Sequence, residues 1–130
     1  MEKLHRWGPA FVLLNSLGIV AFALGGLLQP EQFWTMLHIT PIHKVFTQVM
    51  AWYLLIFGVG GLLVWRQPER HPIVVALIGL EKVAPAILFP LLTLQQDAHW
   101  LVAATGIFDG TMAILLIGYG FWLYKRFNRN

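Results

Sequence analysis

The sequence predicts an all-α integral membrane protein, built as an antiparallel four-helix bundle with short loops. The chain of 130 residues is 58% hydrophobic and 12% charged, whereas an average soluble domain is about 25% charged. The mean hydropathy of +0.66 comes mainly from long apolar runs. A soluble fold of this length has too much surface for its volume to bury them, so lipid is the expected solvent.

Four segments reach the length of about 20 mostly apolar residues that a membrane-spanning helix needs. They are residues 9–28, 45–65, 72–94 and 101–124, and residues 1–130 are predicted to form a single membrane domain. The first run is longer than the core of about 7–15 apolar residues typical of a signal peptide. No small-residue cleavage site follows it, so we expect this segment to be retained as a helix.

Basic residues outside the four segments predict the orientation, because Lys and Arg are retained on the cytoplasmic side. Seven of them fall on the side that holds both termini, and Lys44 alone falls on the other. We therefore expect a multi-pass protein of the cell (inner) membrane with both termini cytoplasmic. Basic residues in these positions anchor and orient helices, so the net charge of +3 predicts no nucleic-acid partner. The seven are Lys3, Arg6, Arg66, Arg70, Lys125, Arg126 and Arg129.

The first outer loop contains the stretch "PEQFWTMLH", which has a proline near its start and apolar residues at helical spacing. Two interpretations stay open. It is either a short interfacial helix with Phe33, Trp34 and Leu37 against lipid or the bundle, or an irregular loop.

Motifs for catalysis, metal binding and cofactor binding are missing from the sequence. There is no Cys, no nucleophile elbow, no zinc-protease motif and no phosphate-binding loop. His38, His43 and His99 are predicted on the outer side, but their spacing matches no metal motif. We therefore predict no catalytic residue, no metal site and no cofactor.

Ionisable residues inside two of the segments are the main candidates for a site. Glu81 and Lys82 lie side by side in the third segment, and Asp109 lies in the fourth. A charge at this depth costs about 2.5–3.5 kcal/mol on insertion scales and usually faces the bundle interior. At about 1.5 Å per residue, Lys82 and Asp109 come to similar depths on consecutive antiparallel helices. We expect these two residues to pair.

Glu81 is harder to place, because neighbouring residues on a regular helix point about 100° apart. Three states stay open for it: a protonated carboxyl, an acceptor for Asn15, or a second partner for Lys82. The predicted polar cluster is therefore Glu81, Lys82, Asp109 and Asn15. It is either a structural clamp between helices or a ligand-binding site.

Small and polar residues recur on one side of each segment, and small residues allow membrane helices to approach closely. These stripes predict the interior faces. In the first segment the stripe is Asn15, Gly18, Ala21 and Gly25, and in the fourth it is Thr105, Gly106, Asp109, Ala113 and Gly120.

The stretches "GLLQPEQF", "YLLIFGVGGLLVWRQPERHPIV", "GLEKVAPAILF" and "FDGTMAILL" resemble the DoxX-like group of small four-helix bacterial membrane proteins. Many members of that group carry a Lys in the third helix and an Asp in the fourth. The resemblance implies that Lys82 and Asp109 are interior residues. Some relatives are linked to quinol oxidation or to redox partners, and most have no assigned activity. Without Cys, a thiol-redox role does not carry over to this chain.

The sequence favours a non-enzymatic membrane component, either an accessory subunit or a binder of a lipophilic molecule such as a lipid or a quinone-like compound. The alternative is a small membrane enzyme or proton-coupled carrier that uses Glu81, Lys82 and Asp109. Expected partners are the lipid bilayer, a lipophilic ligand, and further subunits in a homo-oligomer or a larger membrane complex.

Overall fold

A computed structural model describes residues 2–36, 44–96 and 99–127, and every regular element within these ranges is a helix. The all-α class is thereby confirmed. The helices are α1 (Glu2–Leu28), α2 (Pro30–Met36), α3 (Lys44–Val64), α4 (Pro72–Glu81), α5 (Val83–Gln96) and α6 (Trp100–Phe127), with a short 3₁₀ turn at Pro68–Arg70.

Four helical stretches are long and apolar enough to cross a membrane, as predicted. Their bounds are Arg6–Leu28, Thr47–Val64, Pro72–Gln95 and Trp100–Phe127, close to those read from the sequence. The third stretch differs from expectation because it is two helices, α4 and α5, that meet at Lys82.

Large apolar side chains cover the outside of the spans. Leu63 is 80% exposed and Leu94 is 81% exposed, and comparable side chains occur on every long helix. No more than about a third of each span is buried inside the protein, the highest share being 33%. A surface of this kind is stable in contact with lipid tails and unstable in water.

The helices pack in two groups that meet most closely at one end. Helix α1 lies along α3, while α4 and α5 both lie along α6; α1 also meets α6, and α3 meets α4, over shorter stretches. The largest buried cluster joins the first half of α1, the end of α3, the start of α4 and the second half of α6. Its central side chains are Val12, Ile78, Leu116, Tyr119 and Leu123.

The small-residue stripe predicted the interior face of α6 well and that of α1 only in part. Gly106, Asp109, Ala113 and Gly120 are buried in α6. In α1, Asn15 is buried as predicted, but Gly18 and Ala21 are exposed. The buried face of α1 also includes Val12, Ser16, Ile19 and Ala23. The cause lies in the partner helix, because α3 supplies the glycines of this contact: Gly58 faces Ile19 and Val20, and Gly61 faces Ser16.

The segment after the first span forms the helix α2 rather than an irregular loop. Trp34 is only 4% exposed, and its ring meets Phe22 and Phe33 edge-on at centroid distances of 6.1 and 5.2 Å. Phe33 is half-buried in the same cluster. Leu37, His38 and His43 lie outside the described residues.

Candidate functional site

The third span is interrupted at Lys82, where the regular helical hydrogen-bond pattern fails. Pro85 has no N–H to donate to the carbonyl of Glu81, which lies four residues before it. The N–H of Lys82 instead donates to the carbonyl of Gly79, three residues back, at 3.2 Å, as in a tighter 3₁₀ turn. The break falls between Glu81 and Val83, at the position of the two charged residues.

The break brings three charged side chains together. The Nζ atom of Lys82 lies 3.2 Å from Oδ1 of Asp109 and 3.5 Å from Oε2 of Glu81. All three side chains are largely buried, with exposed fractions of 8% for Lys82, 6% for Asp109 and 11% for Glu81. Of the three states considered for Glu81, the structure forms the one in which it shares Lys82.

The three groups do not balance in charge. When both carboxyls are ionised, two carboxylates and one ammonium give this cluster a formal charge of −1. The 3.5 Å contact of Glu81 is an ion pair without hydrogen-bond geometry, and its Oε2 atom has no hydrogen-bond partner among the described residues. A buried carboxylate in that condition is unfavourable in a medium of low dielectric constant.

Asn15 is the fourth member of the predicted cluster, and it lies on α1 against the same space. Its side chain is 2% exposed. Neither its Oδ1 nor its Nδ2 atom has a hydrogen-bond partner among the described residues. The bond to Glu81, one of the three states considered, therefore does not form. Leaving such a group unsatisfied costs about 1–3 kcal/mol, so a ligand that hydrogen-bonds to Asn15 would be stabilised.

These four residues line one cavity of about 220 Å³. Asn15, Glu81, Lys82 and Asp109 form its polar floor. The rest of the lining is mostly apolar and comes from α1, α3, α5 and α6. The apolar wall includes Gly18, Ile19, Phe22, Leu54, Phe89 and Phe108.

Aromatic rings close the cavity opposite the polar floor. Phe22 follows Asn15 by seven residues, and Phe89 follows Lys82 by seven, which places both rings about 10 Å along the helices from the floor. Their centroids are 6.4 Å apart, and Phe33 packs edge-on against Phe22 at 4.9 Å. Gly18 and Phe108 also line the cavity, and both are exposed at the surface of the protein.

A second, larger space of about 430 Å³ lies between α4 and α6. It is lined by apolar side chains such as Ile73, Leu77 and Phe121, each of which is exposed. No unpartnered buried polar atom faces it among the described residues. We interpret it as ordinary lipid-facing surface.

The residues in the cavity offer hydrogen-bond donors, hydrogen-bond acceptors and charge. Within residues 2–36, 44–96 and 99–127, no three His, Asp or Glu side chains come together to hold an ion. The floor can recognise a polar head, and the wall can hold an apolar ring or chain.

The fold and the cavity together define a multi-pass helical membrane protein with a charged cluster inside its spans. Comparison with protein-family models, with curated proteins and with solved structures finds no match.

Proposed function

We propose that the protein binds a lipophilic molecule whose polar head lies on the floor formed by Asn15, Glu81, Lys82 and Asp109. The observation that carries this proposal is Asn15, which is 2% exposed and has two unpartnered amide atoms at the cavity. A ligand that donates a hydrogen bond to Oδ1 and accepts one from Nδ2 gives both atoms of the Asn15 amide a partner. Binding of this kind requires no catalytic residue.

The size of the cavity limits the head of the ligand. An apolar cavity of about 150 Å³ holds a benzene molecule, so the space of about 220 Å³ here suits one substituted ring or a head of similar size. A longer tail has to leave between Gly18 and Phe108, both of which are exposed. The ligand therefore has a compact polar end and an apolar tail that remains in the bilayer.

Replacing Gly18 by leucine is expected to abolish this binding. A side chain at position 18 starts in open space and projects at the mouth of the cavity, so it blocks entry without disturbing helix packing. The measurement is mass spectrometry of lipophilic compounds that co-purify with the protein from its native membrane. Gly118→Leu is the matched control, because position 118 also has open space around it but does not line the cavity.

A compound present in the parent and in Gly118→Leu, and depleted in Gly18→Leu, identifies the ligand. Equal amounts in all three preparations would mean that the compound adheres to the outer surface, and the proposed binding site would then be wrong.

A proton-coupled carrier is the second candidate. It is favoured by Oε2 of Glu81 at the cavity, which accepts no hydrogen bond among the described residues. Such a carrier would change the internal pH of proteoliposomes when the identified ligand is added outside. A binding protein without transport would leave that pH constant.

We further propose that the four spans form one antiparallel bundle with both termini in the cytoplasm, and that the chain is a DoxX-like protein. The core cluster supports the antiparallel bundle, because it joins the first half of α1 to the second half of α6. The contact between Lys82 and Asp109 supports the DoxX-like assignment, because both residues stand at the positions that carry the resemblance.

A reporter experiment tests the orientation. Alkaline phosphatase is active only outside the cytoplasm, so a fusion after Asn130 is expected to be inactive and a fusion after Thr40 active. The seven-to-one excess of Lys and Arg on the side of the termini is the physical reason. The opposite pattern would reverse the proposed topology.

A further inference from the structure

We infer that the ligand carries a protonated amine, and that its ammonium group pairs with Glu81 at the floor of the cavity. This inference rests on the proposed binding function and adds the chemical class of the ligand. It starts from the formal charge of −1 that Glu81, Lys82 and Asp109 share.

No other charged side chain in the described part of the spans can neutralise this cluster. Lys82 and Asp109 are the titratable groups that face Glu81. Of the helices around the cavity, α1 presents the neutral Asn15, α3 presents Leu54, and α5 presents apolar residues that include Phe89. One further positive charge is therefore required, and a proton or a cationic ligand has to supply it.

The polar floor of the cavity offers hydrogen-bond acceptors to a cation. An ammonium group donates several hydrogen bonds. One is available for Oε2 of Glu81 and another for Oδ1 of Asn15, neither of which accepts a hydrogen bond among the described residues.

A proton and an ammonium cannot neutralise the same carboxylate at the same time. When Glu81 is protonated before binding, the O–H bond of its carboxyl breaks and the proton passes to water. The carboxylate then pairs with the ammonium, which keeps all its hydrogens. The reaction takes up one cation and releases one proton, so the charge of the cavity does not change.

Two probes with matched shape test the inference: para-octylbenzylamine, which is protonated at neutral pH, and the neutral para-octylbenzyl alcohol. Each is titrated by calorimetry into the protein in nanodiscs of zwitterionic lipid, with empty nanodiscs to subtract adsorption. We expect the amine to bind about tenfold more tightly, because hydrogen bonds to a charged group are stronger than neutral ones. Titrations in buffers of different ionisation enthalpy are expected to show proton release on amine binding.

Variants separate the contribution of Glu81 from general adsorption. Glu81→Gln removes the negative charge in nearly the same shape, so it is expected to abolish the preference for the amine. Gly118→Leu is expected to retain the preference, since position 118 lies away from the cavity. Should Glu81→Gln fail to insert, proton release by the parent protein decides the question.

Each outcome has a distinct meaning. Tighter binding of the alcohol, equal binding of both probes, or an amine preference that survives in Glu81→Gln would overturn the ammonium assignment and leave the proposed binding function standing. If neither probe binds saturably to folded protein, the proposed binding function fails, and this inference fails with it.

Discussion

Replacing Lys82 by methionine is expected to lower the stability of the folded protein by about 3–5 kcal/mol, the usual cost of removing one partner of a buried ion pair. The substitution leaves the carboxylates of Glu81 and Asp109 without a cation, and both side chains are nearly buried. The measurement is thermal unfolding in nanodiscs, followed by circular dichroism. An unchanged melting temperature would show that Lys82 does not hold the two carboxylates.

Asp109→Asn is the matched comparison. It is expected to lower the stability of the folded protein by less than Lys82→Met does. Lys82 still has Glu81 at 3.5 Å when Asp109 is neutral, and the remaining pair has no net charge. The double variant is expected to lose less than the two single losses added together, because neighbours in one network are not independent. Strict additivity would mean that the 3.2 Å contact contributes no coupling.

Gly120→Ala is expected to destabilise the contact between α4 and α6 by about 1–3 kcal/mol, the usual cost of overpacking. A Cβ atom at position 120 would lie 2.8 Å from the backbone nitrogen of Ala76 and 2.8 Å from the carbonyl oxygen of Pro72. Both are backbone atoms, so the two helices have to separate to admit the methyl group. The loss is measured as a lower melting temperature in nanodiscs.

Gly118→Ala is the control for this prediction, and its effect is expected to have the opposite sign. Position 118 has open space around it, and alanine is the better helix former by about 1 kcal/mol. Equal destabilisation by the two variants would indicate that loss of glycine, rather than the contact with α4, is responsible.

The spans were predictable from the sequence because each depends on a local property, the length of an apolar run. The depth comparison between Lys82 and Asp109 also worked from local quantities, since it needed only the rise per residue and the order of the helices. The four spans lie close to their predicted bounds. The Nζ atom of Lys82 lies 3.2 Å from Oδ1 of Asp109, as the similar depths of the two residues predicted.

The buried face of α1 and the position of Glu81 were not predictable in the same way. Both depend on which helices pack against each other, and the sequence of a single segment does not contain that information. The buried face of α1 follows the glycines of α3, so the stripe through Gly18 and Ala21 was misleading. The state of Glu81 was left open among three alternatives, one of them sharing Lys82, because neighbouring residues on a regular helix point about 100° apart. Pro85, visible in the sequence, was the signal that the helix breaks before it.

The cavity itself was missed, although part of its lining was readable. Phe22 and Phe89 each follow a polar floor residue by seven positions, or about two helical turns, and so project from the same faces as Asn15 and Lys82. Whether those faces enclose a space depends on how closely α1 approaches α5, which only the packed structure gives.

The buried ion pair between the third and fourth spans also constrains how the chain enters the bilayer during synthesis. Glu81 and Lys82 emerge from the ribosome before Asp109, and each charge costs about 2.5–3.5 kcal/mol at the centre of a lone helix. Lys82 in the third span pairs with Asp109 only after the fourth span has been made, since the 3.2 Å contact joins Nζ of Lys82 to Oδ1 of Asp109. Its favourable route into lipid is therefore as a hairpin with α6, held at the translocation channel until the fourth span has been made.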